Sequence, residues 1–537
     1  MRPGATRLFV ALLGSLTVLS LLLSFNFNQI HFRHERPPKS SNANQGGQWG
    51  PPISLSLVPV AIAVLPLSGK VLAWSADKRN VFSSDVTHTH SAIYDPSTHD
   101  VVDHDVSVTH HNMFCPGLSM DSSGRVVVTG GSASTQTSIF DDAQSRWLSG
   151  PPLTLGRGYH AQATLSTGDI FTIGGSWSGP ISPDKNGELL SISNNTWIPL
   201  PSALASPILT NDAQGDFAAD NHAWLFAWKS DSVFHAGPSS AMNWYGTSPY
   251  TSGSHYPAGL RANDADSMNG NAVMYDALNG KILTLGGAPS YTNSSATAAA
   301  HIVTLPSTPF SIPSVEEIQP MHFPRAYANS VILPTGDVLI VGGTTYARQW
   351  TDANATLIPE LWSHKTKTFT KMAQMDVPRT YHSVAVLLPD GTVLTGGGGL
   401  CWEECVGGTR EEVNHMNLQR YLPGYLFTGD GDTLARRPRV LGVSNTHVVV
   451  GGELVVTTDV EVGEFALLRY GTATHAVNTD QRRVSIEAVG VEGEGKVYKL
   501  NVPDDAGVVI PGYWMLFAIS GEGVPSVSER LLIKGEE

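Results

Sequence analysis

Two tyrosines in this chain stand directly before a histidine: Tyr159 and His160 in RGYHA, and Tyr381 and His382 in RTYHS. A further histidine, His475, lies in RYGTATHAVNTDQRR. Phenols and imidazoles are competent ligands for Cu(II) and Zn(II). Cys115, in HNMFCPGLSMD, is one of three cysteines in 537 residues. The other two, Cys401 and Cys405 in GLCWEEC, are close enough in sequence to bond each other. In an exported chain that pair reads as a short disulfide rather than a metal pair. Cys115 is then left over, either as a small buried hydrophobe or as a group with chemistry of its own. Spacing supplies no pattern as specific as two CxxC pairs, so the pool suits copper or zinc without choosing between them. The histidine-rich THTH (His88, His90) and THHN (His110, His111) read as solvated loops.

These residues sit in a repeat. RGYHAQATLSTGDIFTIGG from Arg157, RAYANSVILPTGDVLIVGG from Arg325 and RTYHSVAVLLPDGTVLTGG from Arg379 align without gaps, with 17 residues from the arginine to the first glycine of the pair. Each reads as strand, Gly-containing turn, strand. Tyr159, Tyr327 and Tyr381 share one repeat position, which alone makes that tyrosine a structural feature. Further strands ending in glycine occur at Gly131, Gly237 and Gly287, and GKVLAWS near Trp74 resembles another. Seven units spaced roughly 50 residues apart predict a kelch-type β-propeller. After Leu434 the pattern changes to short strands at the spacing of an immunoglobulin-like β-sandwich. The fold class is therefore all-β: a seven-bladed propeller over 52–433, then a sandwich over 434–537.

Composition agrees. Glycine is abundant (53) and only 15% of residues are charged, for a net charge of −14. Without a basic patch, nucleic acid is an unsuitable partner. Arg2 and Arg7 precede an apolar run, Leu8 to Phe25. Residues 1–28 are either a cleaved signal or an uncleaved membrane anchor, and both send the remainder out of the cytosol. Residues 29–51 are polar and rich in Pro and Gly, and a disordered linker is expected there. Sequons at Asn194, Asn293 and Asn354 fit a secretory route.

One resemblance organises the rest. HNMFCPGLSMD, GRGYHAQAT, FTIGGSWSG, DNHAWLF, GPSSAMNWY, GNAVMYDALNGKILTLGG, YHSVAVLLPDG, GGGGLC, RYGTATHAVNTDQRR and PGYWMLF occur in this order. Together they resemble the galactose oxidase family of copper-radical oxidases, from about Gly47 to near the C-terminus. No counterpart of that family's N-terminal carbohydrate-binding domain is expected. The resemblance implies that Cys115 and Tyr159 are joined by a thioether. It implies Cu(II) held by Tyr159, Tyr381, His382 and His475, with Tyr381 as base and Trp177 stacked over the crosslink. His160 is in repeat register with His382, but the family has glutamine there, so it is not taken as a ligand.

The implied reaction is oxidation of a primary alcohol to the aldehyde, with O2 reduced to H2O2. Neither nicotinamide nor flavin is expected, because no GxGxxG stands between a strand and a helix. The implied substrate contacts are Phe82, Trp177, Tyr291 and Arg261, the last at the spacing of a family arginine that contacts sugar hydroxyls. Two positions depart from the family: Thr292 replaces glutamine and Trp350 replaces phenylalanine. Two substrate classes therefore stay open, D-galactose and other primary alcohols, including aryl and aliphatic ones. The reading from a different class is a non-catalytic kelch module that binds glycan or protein. The expected protein is a monomer, secreted or held at the cell surface.

Overall fold

The computed structural model describes residues 43–535, apart from 183, 403–412, 432, 488 and 492–495. The apolar N-terminal segment and Cys405 lie outside the described residues. Within them, no helix is long and apolar enough to cross a membrane.

Seven antiparallel sheets follow one another along the chain. The first holds Ala61–Val64, Val71–Trp74, Thr89–Tyr94 and Val101–Val106, and the second begins at Gly117–Met120. The third begins at Ala161–Thr164, the fourth at Leu225–Trp228 and the fifth at Asn271–Asp276. The sixth begins at Ala326–Ile332 and the seventh at Ser383–Leu387. These opening strands are buried along their whole length or nearly so, because each blade packs face to face against its neighbours. That is why they read as continuous apolar runs rather than alternating ones.

The repeat has a physical reason at both of its ends. In the second blade, Gly131 N–H donates to Arg157 O of the third at 2.8 Å. Gly287 and Gly343 make the same bond to Arg325 O and Arg379 O, both at 2.7 Å. The preceding glycine must lack a side chain, since a Cβ on Gly130, Gly286 or Gly342 would lie 2.2–2.5 Å from that carbonyl oxygen. The arginine side chain turns back into its own blade. Arg157 Nη1 donates to Gly174 O at 2.8 Å and Arg325 Nη1 to Gly342 O at 2.7 Å. Their guanidiniums pair with Glu188 and Glu360, each at 2.9 Å, with both partners of each pair fully buried. One Arg–Gly-Gly unit thus ties three backbone segments and presents the residue two positions on, the tyrosine, at the channel mouth.

Both ends of the chain close the ring. Gln48–Trp49 and Ile53–Ser54 pair with the outer strand Asn417–Leu422 of the seventh blade. Trp49 is buried and its Nε1 donates to Ala373 O at 2.8 Å. The disordered linker expected over 29–51 is therefore ordered from Ala43, because its tryptophan and its strand complete a sheet. From the other end, Thr472–Thr474 of the C-terminal domain adds a fifth strand to the first blade, with Ala61 opposite Thr474.

The C-terminal domain is a sandwich of a four-stranded and a five-stranded sheet. Its segment around 469–483 runs through the propeller. Arg469 Nη2 donates to Met120 O at 2.9 Å, Thr479 Oγ1 to Gln162 O at 2.6 Å and Arg482 Nη2 to Ala227 O at 3.1 Å. Asn271 Nδ2 donates to Ala476 O at 2.6 Å, and Gln481 Nε2 to Ser330 O at 2.9 Å. This one segment is bonded to the second, third, fourth, fifth and sixth blades.

His111 departs from its expected solvated loop. It is fully buried, with Nε2 2.7 Å from Gly130 O and Nδ1 2.9 Å from Ser138 Oγ.

A buried ion pair that loses one partner leaves an unpaired charge in a low dielectric, at a cost of about 3–5 kcal/mol, against at most about 1 kcal/mol for an exposed pair. Glu360→Ala should therefore lower the unfolding free energy by about 3–5 kcal/mol. Glu316→Gln, which breaks the exposed Lys367–Glu316 pair, should change it by no more than about 1 kcal/mol. Urea unfolding followed by tryptophan fluorescence compares the two.

Candidate metal centre

Four ligand-type side chains meet where the repeats present them. Tyr159 and Tyr381 are joined by a hydrogen bond between their hydroxyls. The Tyr381 and His382 rings stack at 3.8 Å, and His475 lies 4.8 Å from Tyr159 and 4.7 Å from His382, centroid to centroid. Cys115 Sγ is 3.4 Å from His475 Nε2 and within hydrogen-bond reach of the Tyr159 phenol. The ligand atoms of Cys115, His382 and His475 all lie within 4.8 Å of one another, and all three residues are buried.

Both imidazoles are oriented through Nδ1. His382 Nδ1 donates to Gly399 O at 2.7 Å, and His475 Nδ1 is 2.7 Å from Thr474 Oγ1. That leaves Nε2 of each ring for the centre. His382 Nε2 is buried and has no hydrogen-bond partner among the described residues. A buried lone pair without a donor is costly, and a cation would satisfy it. Burial holds His382 neutral, down to about 3, against the pull of its bonds to the Gly399 and Leu400 backbone. Burial first, then His382 and His222, pushes His475 well below its ordinary range. Neutral imidazole is the ligand form. Burial also pushes the Tyr159 and Tyr381 phenols and the Cys115 thiol well above their ordinary values. A bound cation offsets that by stabilising the phenolates. The donor set of two imidazoles and two phenols fits copper.

The backbone is strained where these residues sit. Cys115 (φ 61°), Tyr159 (61°), His382 (68°) and His475 (50°) all lie in the left-handed region. Such conformations persist where the surroundings over-determine them, and they cluster at functional sites.

Trp177 stacks on Tyr159 with centroids 4.6 Å apart and planes 18° apart. Its loop is held from two sides. Ser176 N–H and Oγ both donate to Asp220 at 2.9 Å, and Lys185 Nζ donates to Gly156 O, Gly175 O and Ser178 O at 2.5–3.1 Å.

A cavity of about 630 Å³ opens above the two phenols. Phe82, Trp177, Tyr291, Thr292 and Trp350 line it, together with Tyr159 and Tyr381. Arg261 does not. It is buried elsewhere, over Trp224 at 5.2 Å, donating to Ala236 O, Ser239 O and Ser267 Oγ at 2.9–3.1 Å. Its donors are spent on the fourth blade, so spacing along the chain was a poor guide to where this guanidinium points. His160 also stays out of the ligand set: its Nε2 is 2.8 Å from Thr129 Oγ1.

Other wall residues were not expected from sequence: Gln214, Phe217, Ala218, Asn221, Gln349 and Trp402. They lie between the blade strands, Phe217 and Ala218 on the short helix Asp216–Ala219, where strand periodicity carries no signal. His222 was missed as well. Its ring stacks on His475 at 5.0 Å, and its Nε2 is 2.9 Å from the Tyr291 hydroxyl, which donates to Tyr381 Oη at 3.2 Å. Cys401 is disulfide-bonded and Cys115 is free. Asn194, Asn293 and Asn354 are all exposed.

Known proteins resemble this chain in sequence and fold. Residues 219–424 match the family profile described as "Glyoxal oxidase N-terminus", and 437–533 match "Galactose oxidase-like, Early set domain". The chain is 46% identical over 496 residues to the galactose oxidase of Gibberella zeae, covering 91% of this chain and 70% of that one. It is 32% identical over 227 residues to an aldehyde oxidase of Vitis pseudoreticulata, covering 40% of this chain and 42% of that one. Among solved structures, a fungal alcohol oxidase of the AA5 family in complex with copper superposes with a TM-score of 0.85 at 40% identity, covering 91% of this chain and 99% of that one. Its sequence, its fold and the donor set at its channel mouth place this chain in the galactose oxidase and glyoxal oxidase family of copper-radical oxidases.

Proposed function

We propose that this chain oxidises a primary alcohol to the aldehyde and reduces O2 to H2O2, with apolar alcohols preferred over galactose. The observation that carries the reading is the convergence of two phenols, two neutral imidazoles and the Cys115 sulfur at the floor of a cavity. A module that only binds has no use for an unpartnered buried His382 Nε2.

Tyr159, Tyr381, His382 and His475 would hold copper. Bound copper would supply a Lewis-acid position for the alcohol oxygen and accept one of the two electrons of the oxidation. The rest is done by the chain. Tyr381 Oη takes the hydroxyl proton as general base. Tyr159, once joined through its ring to Cys115 Sγ and oxidised by one electron to the phenoxyl radical, takes a hydrogen atom from the carbinol carbon, and O2 then removes two electrons and two protons as H2O2. A sulfur substituent makes a phenol easier to oxidise, and Trp177 covers that ring and keeps water off it.

The cavity walls set the substrate preference. No Asp, Glu, Lys or Arg stands among the described residues that line the cavity. With Arg261 turned away, no guanidinium among the described residues is offered to a sugar hydroxyl. Thr292 is half-buried and offers one short hydroxyl, and Trp350 adds an apolar face. Galactose oxidation proper is the alternative reading, favoured by the 46% identity to a galactose oxidase. The chain acts outside the cytosol as a monomer, with glycans on the exposed Asn194, Asn293 and Asn354. The Cys401 disulfide is expected to run to Cys405.

Copper loading in air should join Cys115 to Tyr159, so the denatured chain should migrate faster on a gel. Peptide mapping that recovers a free Cys115 thiol from copper-loaded protein would contradict the assignment. His475→Ala should lose copper, measured as metal content after dialysis and as the copper electron paramagnetic resonance signal. Its far-ultraviolet circular dichroism should be unchanged, and full copper occupancy in that variant would remove His475 from the ligand set.

Benzyl alcohol should have the higher kcat/KM than galactose. Thr292→Gln should shift the ratio toward galactose by about threefold to tenfold, the worth of one hydrogen bond of about 0.5–1.5 kcal/mol. A wild type that strongly prefers galactose would return the enzyme to the alternative reading.

A further inference from the structure

Trp402 stands at the edge of the candidate site. Its side chain is 54% exposed although it lines the same cavity as the buried Tyr381. Exposure along the wall therefore rises from the phenols, through the half-buried Phe82, to Trp402 at the rim. An aromatic exposed at the mouth of a pocket offers a stacking face to a bound ring.

The residue is also held in place. Phe82 N–H donates to Cys401 O at 3.2 Å, and Phe82 and Trp402 form a parallel bridge. The Trp402 ring lies 6.1 Å from Phe82, which in turn stacks on the buried Phe114 at 4.4 Å. Cys401, the preceding residue, is disulfide-bonded and itself lines the cavity. Leu400, the residue before that, is buried in the left-handed region (φ 55°), with its N–H bonded to Asn414 Oδ1 at 2.7 Å. Holding an aromatic side chain before the ligand arrives removes part of the ordering cost of binding.

The cavity is also larger than a one-ring alcohol needs. About 630 Å³ is a volume at which pockets enclose drug-sized ligands.

We infer that Trp402 forms an outer stacking subsite for a second aromatic ring, so that the enzyme takes elongated aryl primary alcohols of two rings. This rests on the reading of the site as a primary alcohol oxidase. Stacking at Trp402 adds ground-state and transition-state binding equally, since the rim is remote from the reacting carbon. Its loss therefore appears in KM rather than kcat.

The test compares 1-butanol, which carries no ring to stack, with biphenyl-4-methanol in wild type, Trp402→Phe and Trp402→Ala. Trp402→Ala should raise KM for biphenyl-4-methanol about tenfold with kcat unchanged, and Trp402→Phe should recover most of the loss. Kinetics on 1-butanol should be the same in all three. Calorimetric titration of copper-free protein with biphenyl-4-methanol gives a second readout, and its Kd should weaken about tenfold in Trp402→Ala. Equal losses on both alcohols would make Trp402 a structural residue, and no change on either would remove the subsite. Tighter binding of a galactosyl disaccharide than of biphenyl-4-methanol, lost in Trp402→Ala, would overturn the aryl class. If wild type oxidises neither alcohol, the alcohol oxidase reading fails, while the titration still decides the subsite.

Discussion

A buried lone pair with no donor is the constraint on which this structure turns. Nε2 of His382 is buried and has no hydrogen-bond partner among the described residues, while Nδ1 of the same ring is committed to Gly399 O. Around it stand a second imidazole with Nδ1 engaged and two phenols that share one hydrogen bond. Burial favours the neutral form of every one of these groups. Neutral groups packed this closely have more acceptors pointing inward than donors to meet them, and a cation is the simplest partner that meets them all. The left-handed backbone at Cys115, Tyr159, His382 and His475 is tolerable only because blade and loop hydrogen bonds fix each residue from outside the centre.

That fixing is a property of the whole ring. Two of the four donors come from one blade, one from another, and His475 from a different domain. A centre assembled from distant parts is only as well placed as the joints between them. The joints here are backbone hydrogen bonds from Gly-Gly to the next arginine carbonyl, repeated around the propeller. The sandwich segment is then bonded to five further blades beyond the one whose sheet it extends. His475 thus sits at a node of the propeller and not on a free loop.

The sequence was legible wherever a residue's role repeats or follows a period. The propeller, the sandwich and the Arg-x-Tyr position could all be read because each hairpin obeys the same packing rule. The chemistry could not be read from spacing, since Tyr159, Tyr327 and Tyr381 are equivalent in the repeat and only two of them face the centre as donors. Tyr327 instead donates to the Tyr291 carbonyl. The resemblance names Tyr159 and Tyr381 and leaves out Tyr327, a distinction that periodicity cannot make. Both failed for Arg261, whose direction depends on three acceptors supplied by a fold that spacing does not describe. The order at Trp49 was hidden for a similar reason: its partner Tyr421 lies at the far end of the ring. The cavity walls were hidden because loops carry no period.

The loop that carries Trp177 shows how polar groups can serve an apolar contact. The indole must lie flat on Tyr159, yet stacking is a weak and slippery constraint, worth about 0.5–1.5 kcal/mol beyond burial. Direction comes instead from charges behind the loop. The Lys185 ammonium gathers three carbonyls, and the Asp220 carboxylate receives two donors from Ser176. Both are buried, and burial pulls Lys185 down to about 8 and pushes Asp220 up. Those shifts are the cost of keeping the two groups out of water, and hydrogen bonds to the loop backbone are what offset it. The charges stand behind the loop and do not line the cavity, so the reacting side stays apolar while the ring that covers Tyr159 is held by ionic geometry.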